Sequence, residues 1–161
     1  MRAPDFSQLA AAGPGVHTWR AQPASEIVGC ALPHLGLGDR LLVRALALLA
    51  NGRAIGIFPE GEVNRDPVRL LRGRRGAARL SLETGTPVVP MGIRFPGSDP
   101  ARPIGGQAGM ELHIGPPLMP PEPARDPVSV AAVSAWHSVI MTEIARLSGK
   151  AWRAPAKDAI P

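Results

Sequence analysis

Between Ala54 and Phe95 the apolar pattern switches from strand to helix and back, and that alternation constrains the fold more than any other feature of the chain. Ala54 to Phe58 is a short apolar run of the kind found in a buried parallel strand. A helical period runs from about Arg74 to Thr84 and stops at Gly85, and a second strand pattern covers Val88 to Phe95. Two strands joined by a loop and a helix pair in parallel through a right-handed crossover. The expectation is therefore an α/β fold: a mainly parallel sheet flanked by helices.

The flanks extend this order. Asp39 is placed to cap a helix reaching about Asn51, with Leu42, Leu46 and Leu49 on one face and Gly52 as its stop. After a loop with prolines at 96, 100 and 103, Met110, Leu112 and Ile114 alternate with Glu111 and His113, as in a half-exposed strand. Asp126 and Pro127 open a long helix carrying Val130, Val133, Trp136, Ile140, Ile144 and Leu147, closed by Gly149. Residues 1–38, interrupted by four prolines, read as a loosely structured leading segment with one short strand at Ile27 to Leu32. Residues 150–161 read as a frayed tail. The domain then spans 39–149, and 161 residues suffice for one core without metals or disulfides. The single cysteine, Cys30, allows no internal disulfide and no Cys-based metal cluster. No metal-ligand pair is visible, so no metal site is expected.

The chemistry concentrates where the first strand ends. Phe58-Pro59-Glu60-Gly61 puts one carboxylate and a small residue at a strand terminus, where open α/β sheets keep their ligands. Alone, Pro-Glu-Gly also reads as a turn. Glu60 is positioned to orient a substrate hydroxyl or to fix the loop, and Gly61 to let a phosphate approach the backbone. Six arginines follow between Arg65 and Arg79 (Arg65, Arg69, Arg72, Arg74, Arg75 and Arg79) against one acid, Asp66, while the whole chain carries only +5. Neighbouring guanidiniums can chelate one anion. A general abundance of arginine, with lysine occurring only twice, would also supply such a cluster.

In order and spacing, the helix Leu46 to Gly52, Phe58-Pro59-Glu60-Gly61, Arg65, the Arg74 to Leu80 stretch and Val89-Pro90-Met91 resemble the third and fourth sequence blocks of the glycerolipid acyltransferases. This family acylates glycerol-3-phosphate and 1-acylglycerol-3-phosphate. The resemblance implies a glycerol-3-phosphate acyltransferase-like fold and transfer of an acyl chain to a glycerophosphate or lysophospholipid hydroxyl in phospholipid biosynthesis. Acyl-CoA or acyl carrier protein would be the co-substrate, with no bound cofactor. It also implies that Phe58, Pro59, Glu60, Gly61, Arg65, Arg69 and Arg74 form the site that binds the acceptor and its phosphate, with Val89 and Pro90 on the fourth-block strand. The family's base is a histidine five positions before an aspartate, removing the acceptor hydroxyl's proton while the aspartate holds its tautomer. His34 and Asp39 have that spacing but lie closer to Phe58 than the family places its pair, and Asp39 also reads as a helix cap. A displaced or absent first block implies an N-terminally shortened version. The family's Thr-Arg-Ser after Phe-Pro-Glu-Gly is replaced by Glu62-Val63-Asn64, which removes a basic residue and adds an acid.

Two other readings stand beside this one. A catalytically deficient or truncated acyltransferase-like domain would bind lipid phosphate without turnover. A basic nucleic-acid module is the other, against which stand three Trp, three Phe and no Tyr, too few for a stacking platform, so no nucleic-acid partner is expected. No nucleophile elbow, phosphate-binding Walker loop or dinucleotide fingerprint occurs. Neither a membrane-spanning run nor a signal peptide is evident, so the expected location is cytoplasmic, with peripheral contact at the inner membrane face.

Overall fold

The computed structural model describes residues 26–27, 38–105, 109–121 and 128–154. Its elements are β1 (Glu26–Ile27), α1 (Gly38–Ala50), β2 (Ile55–Gly56), α2 (Gly76–Thr84), β3 (Met91–Arg94), β4 (Glu111–Ile114) and α3 (Val130–Ser148). Helices alternate with short strands, so the α/β character read from the sequence is observed.

Among the described residues the sheet is smaller and more mixed than expected. β1 and β2 pair in parallel through Glu26 with Ile55 and Ile27 with Gly56. β3 instead pairs antiparallel with β4, Met91 opposite Ile114 and Arg94 opposite Glu111, and the two pairs form separate two-stranded sheets. The run Ala54 to Phe58 is half-buried at Ile55 and Ile57 but exposed at Phe58, so it is not the fully covered strand its composition suggested. On β4 the alternation fails as well: Leu112 is exposed, because α3 packs mainly on β3 and leaves β4 at the edge.

The helices stop where glycine allows it. Gly52, Gly85 and Gly149 follow α1, α2 and α3 with φ of 70°, 67° and 70°, the left-handed conformation that ends a helix cheaply only without a Cβ. The long helix begins later than expected: Ser129 is its cap, and its hydroxyl accepts the Ala132 N–H at 3.1 Å. At the other end the Arg94 guanidinium reaches back from β3, donating from Nε to the Leu147 carbonyl at 2.7 Å and from Nη2 to that of Arg146 at 3.3 Å. A cation on the last carbonyls of a helix also favours its dipole.

α2 and α3 form the core. Ala78 and Leu82 pack against Val133, Trp136 and Ile140, with Val88 and Leu118 closing one side. Full burial of Leu82, Ile140 and Met141 stabilises by about 1.5–3 kcal/mol each. The Trp136 indole remains hydrogen-bonded inside: Nε1 donates to Ser81 Oγ at 3.1 Å, and that hydroxyl donates to the Thr86 carbonyl at 2.7 Å. β3 meets α3 at Gly92, where a Cβ would overlap the backbone of Leu147 and Ser148. Helix backbone cannot step aside as a side-chain tip can, so Gly92→Ala should destabilise the fold by about 3 kcal/mol. A urea titration showing an unchanged midpoint would contradict that contact.

Candidate functional site

The strand β2 leads into a tight turn. The Gly61 N–H donates to the Phe58 carbonyl at 3.1 Å, and Gly61 takes φ 73°, a conformation that explains the glycine. The chain then loops out through Arg65 and returns, so that the Arg74 N–H donates to the Pro59 carbonyl at 2.6 Å. Residues 61–74 thus form a loop whose two ends are tied together at Phe58-Pro59-Glu60-Gly61.

Glu60 points into this loop. Its Oε2 accepts from Asn64 Nδ2 at 2.6 Å and from the Leu71 N–H at 2.8 Å, across the width of the loop. Of the two roles open to Glu60 in the sequence, fixing the loop is the one its hydrogen bonds perform. Asn64 extends the network, donating also to the Arg69 carbonyl at 2.8 Å while its Oδ1 accepts the Asp66 N–H at 2.9 Å. Asp66 in turn accepts the N–H groups of Val68 and Arg69 at 2.8 and 3.0 Å. The Val68 N–H foremost holds its carboxyl below the usual range; desolvation opposes this, and the Arg69 N–H with the Arg69 and Lys150 charges adds to the lowering.

With Glu60 and Asp66 turned to backbone and amide donors, the loop shows its arginines outward. Arg65, Arg69, Arg72, Arg74 and Arg75 are exposed, and none of them forms an ion pair among the described residues. Arg79, by contrast, pairs with Glu83 at 2.6 Å on α2. Arg74 lies across Gly61: a Cβ there would sit 2.5 Å from Arg74 Nε and 2.8 Å from Cδ. The close approach that Gly61 permits is therefore made by a guanidinium arm, and its amide is already bonded within the turn. Phe58 and Val63 flank the loop and are largely exposed.

Two residues that sequence reasoning did not assign to the site hold the loop from beneath. His137, buried on α3, shares the Arg72 carbonyl at 3.2 Å through Nε2, and Gly73 packs on it with φ 77°, leaving 3.0 Å between a Cβ there and both His137 Cε1 and Met141 Sδ. Trp152 Nε1 donates to the same carbonyl at 3.2 Å and sets its ring edge-on to His137, centroids 5.9 Å apart. The aromatic neighbour beside His137 in sequence, Trp136, faces the core instead.

His34 lies outside the described residues. Asp39 falls in the first turn of α1, and its side chain also lies outside them. Val89 is half-buried and Pro90 buried; the Pro90 carbonyl accepts the Gly115 N–H at 2.9 Å, which makes this stretch a packing joint between β3 and the chain after β4. Among the described residues no group of three His, Cys, Asp or Glu could hold a metal ion, and no helix is long and apolar enough to cross a membrane. An open cleft of about 410 Å³ lies elsewhere, between β3 and the end of α3; its two cations, Arg94 and Lys150, are already bonded to backbone carbonyls.

What the fold and the turn define is an α/β domain bearing a loop that is hydrogen-bonded along its backbone and cationic on its face. Comparison with known proteins finds a family pattern on part of this chain. The sequence pattern of the family described as Acyltransferase matches residues 37–94. A 1-acyl-sn-glycerol-3-phosphate acyltransferase of Borreliella burgdorferi is 40% identical over 50 residues, which cover 30% of this chain and 19% of that protein. The crystal structure of the 1-acyl-sn-glycerophosphate (LPA) acyltransferase PlsC from Thermotoga maritima aligns with a TM-score of 0.44 and 22% identity, over 71% of this chain and 46% of that one. The matches thus span about a fifth and under half of the lengths of these relatives. Residues 37–94 therefore carry the sequence pattern of the Acyltransferase family.

Removing the Glu60 carboxylate leaves the Leu71 N–H and the Asn64 amide without their acceptor. Glu60→Ala should therefore cost about 1–3 kcal/mol and loosen the loop; equal urea midpoints for variant and wild type would contradict the network. His137 gives a pH signature. Burial foremost, with the Arg75 charge, pushes its pKa below the ordinary value, while the hydrogen bond to Arg72 opposes this. A depressed histidine leaves stability intact above the unfolded value, about 6.5, and removes it as pH falls through the lower folded value. The urea midpoint should drop between about pH 7.5 and about pH 5.5, and His137→Gln should flatten that drop.

Proposed function

We propose that this chain transfers an acyl group from a thioester to the hydroxyl of a glycerophosphate-like acceptor. The observation that carries the reading is the loop 61–74, whose backbone is tied to Phe58-Pro59-Glu60-Gly61 and whose arginines face outward in a segment with the acyltransferase pattern. A phosphate monoester is a compact dianion, and several guanidiniums on a fixed backbone bind it without first having to be ordered. Arg74, folded over Gly61, with Arg65 and Arg69 from the same loop, supplies the acceptor contacts.

In this reading the donor is acyl-CoA or acyl carrier protein, and the acceptor is glycerol-3-phosphate or a lysophospholipid such as 1-acylglycerol-3-phosphate. His34 is the general base, with Asp39 holding its tautomer. It takes the acceptor hydroxyl's proton as the oxygen attacks the thioester carbonyl, the carbon–sulfur bond breaks, and the imidazolium returns the proton to the departing thiolate. The finer architecture, a mainly parallel sheet of the glycerol-3-phosphate acyltransferase type, belongs to the same proposal. So does peripheral contact with a membrane, to which exposed Phe58 and Val63 beside the arginines would lend themselves.

Thiol release from acyl-CoA or acyl carrier protein, with glycerol-3-phosphate or lysophosphatidic acid as acceptor, tests the reading. Turnover should fall at least about 100-fold in His34→Ala. Arg74→Ala should raise the acceptor KM about tenfold while the donor KM stays constant, as expected for one charge-assisted hydrogen bond. Acceptor binding without thiol release from either donor would leave a binding domain and sink the enzymatic reading. Equal turnover in His34→Ala would remove that histidine from the mechanism.

A further inference from the structure

The residues immediately after α3 lie outside the segment 37–94 that matches the acyltransferase pattern, yet they make a set of contacts with the arginine loop. Lys150, Ala151 and Trp152 run alongside the arginine loop and bond to it repeatedly. The Ala151 N–H donates to the Val68 carbonyl at 2.8 Å, and the Leu70 N–H donates to the Ala151 carbonyl at 2.9 Å, a parallel bridge centred on Arg69 and Ala151. Lys150 Nζ donates to the Asp66 carbonyl at 2.7 Å while lying over the Phe95 ring, 5.9 Å from its centroid. Trp152 Nε1 donates to the Arg72 carbonyl at 3.2 Å, its ring against His137. Backbone groups of residues 66, 68, 70 and 72 are therefore held by three successive residues from the far end of the chain.

Glu60 and Asn64 hold the opposite edge through the Leu71 N–H and the Arg69 carbonyl. Between the two edges the backbone carrying Arg65, Arg69, Arg72 and Arg74 is held on both sides, while these arginine side chains are left to solvent. Like charges this close repel, and a loop free to spread would relieve the repulsion by separating them. Opposing that spreading is what the C-terminal contacts accomplish.

We propose that Lys150–Trp152 is a positioning strap for the arginine loop: it touches no substrate and acts by holding Arg69 and Arg74 in the arrangement that receives the acceptor's phosphate. The phosphate part rests on the acyl-transfer reading above; the holding of the loop does not. Loss of one strap contact should raise the open population of the loop about tenfold, the equivalent of about 1.4 kcal/mol.

Limited trypsin digestion of the full-length protein, followed by mass spectrometry, reads the holding directly, since Arg65, Arg69, Arg72, Arg74 and Arg75 are all cleavage sites. In Lys150→Met and Trp152→Ala, cleavage within 65–75 should rise about tenfold while cleavage at Arg79 and Arg146, in α2 and α3, stays at the wild-type rate. Lys150→Arg, which keeps a donor for the Asp66 carbonyl, should restore protection. In the same variants the acceptor KM should rise with kcat and the donor KM near wild type. Unchanged cleavage of the loop, or cleavage rising equally in α2 and α3, overturns the strap. Loop-selective cleavage with an unchanged acceptor KM overturns its positioning role. Loop-selective cleavage in a protein whose wild type releases no thiol supports the strap and sinks the acyl-transfer reading instead.

Discussion

The contact between Gly92 and the backbone of α3 at Leu147 and Ser148 sets the geometry of everything downstream. Only a residue without a Cβ lets β3 come this close, and the approach is held by Arg94, whose guanidinium caps the helix from the same strand. Once the end of α3 is located against β3, Gly149 turns the chain in the left-handed conformation and sends Lys150 to Trp152 along the arginine loop. About two to three turns earlier on the same helix, Met141 and His137 lie beneath Gly73. One helix thus carries the core on one side and the floor of the loop on another. A change at the β3–α3 joint would reach the loop without touching it.

Electrostatics explains why the loop needs so many fixed points. Five exposed arginines within residues 65–75 raise the energy of any compact arrangement, and salt or a bound anion would lower it. Two of the acids that could have neutralised them are used otherwise. Glu60 and Asp66 accept backbone and amide N–H groups inside the loop, and of the six arginines between 65 and 79 the one in a described ion pair, Arg79, belongs to α2. Carboxylates that bind backbone donors build shape, whereas carboxylates that bind guanidiniums would have silenced the cationic face. That division leaves positive potential where an anion can approach.

Much of this was legible in the residues, and the failures have identifiable causes. The helices at 38–50 and 76–84, and most of the long one, follow from apolar period and glycine stops, because those are local properties. The pairing of β3 with β4 was not legible, since strand direction depends on partners far away in sequence. Its start also misled: Val88 to Pro90 read as strand, yet Pro90 has no N–H to donate and the regular ladder begins only at Met91. The cap at Ser129 was passed over for Asp126 because both are good cap residues and only packing decides between them. The loop's cationic face was visible from composition. Its support was not: His137 looked like a helix residue beside Trp136, and Lys150 to Trp152 like the start of a tail, because their partners are carbonyls more than sixty residues away.

The departure from the family's pattern after Gly61 takes on a physical meaning in this setting. Glu62-Val63-Asn64 stands where the resemblance leads one to expect Thr-Arg-Ser, so the turn has lost a guanidinium at the position of Val63, which is almost wholly exposed. Asn64 is committed to Glu60 and to the Arg69 carbonyl, and the charge lying against Gly61 comes from the other end of the loop, from Arg74. Cation and turn are then no longer consecutive in sequence; they are brought together by the hydrogen bond from the Arg74 N–H to the Pro59 carbonyl. A guanidinium supplied this way depends on loop closure, whereas one inside the turn would not. The same substitution that removes a local arginine therefore makes the loop's fixed points, from Glu60 on one edge to Trp152 on the other, a condition for placing positive charge at the turn.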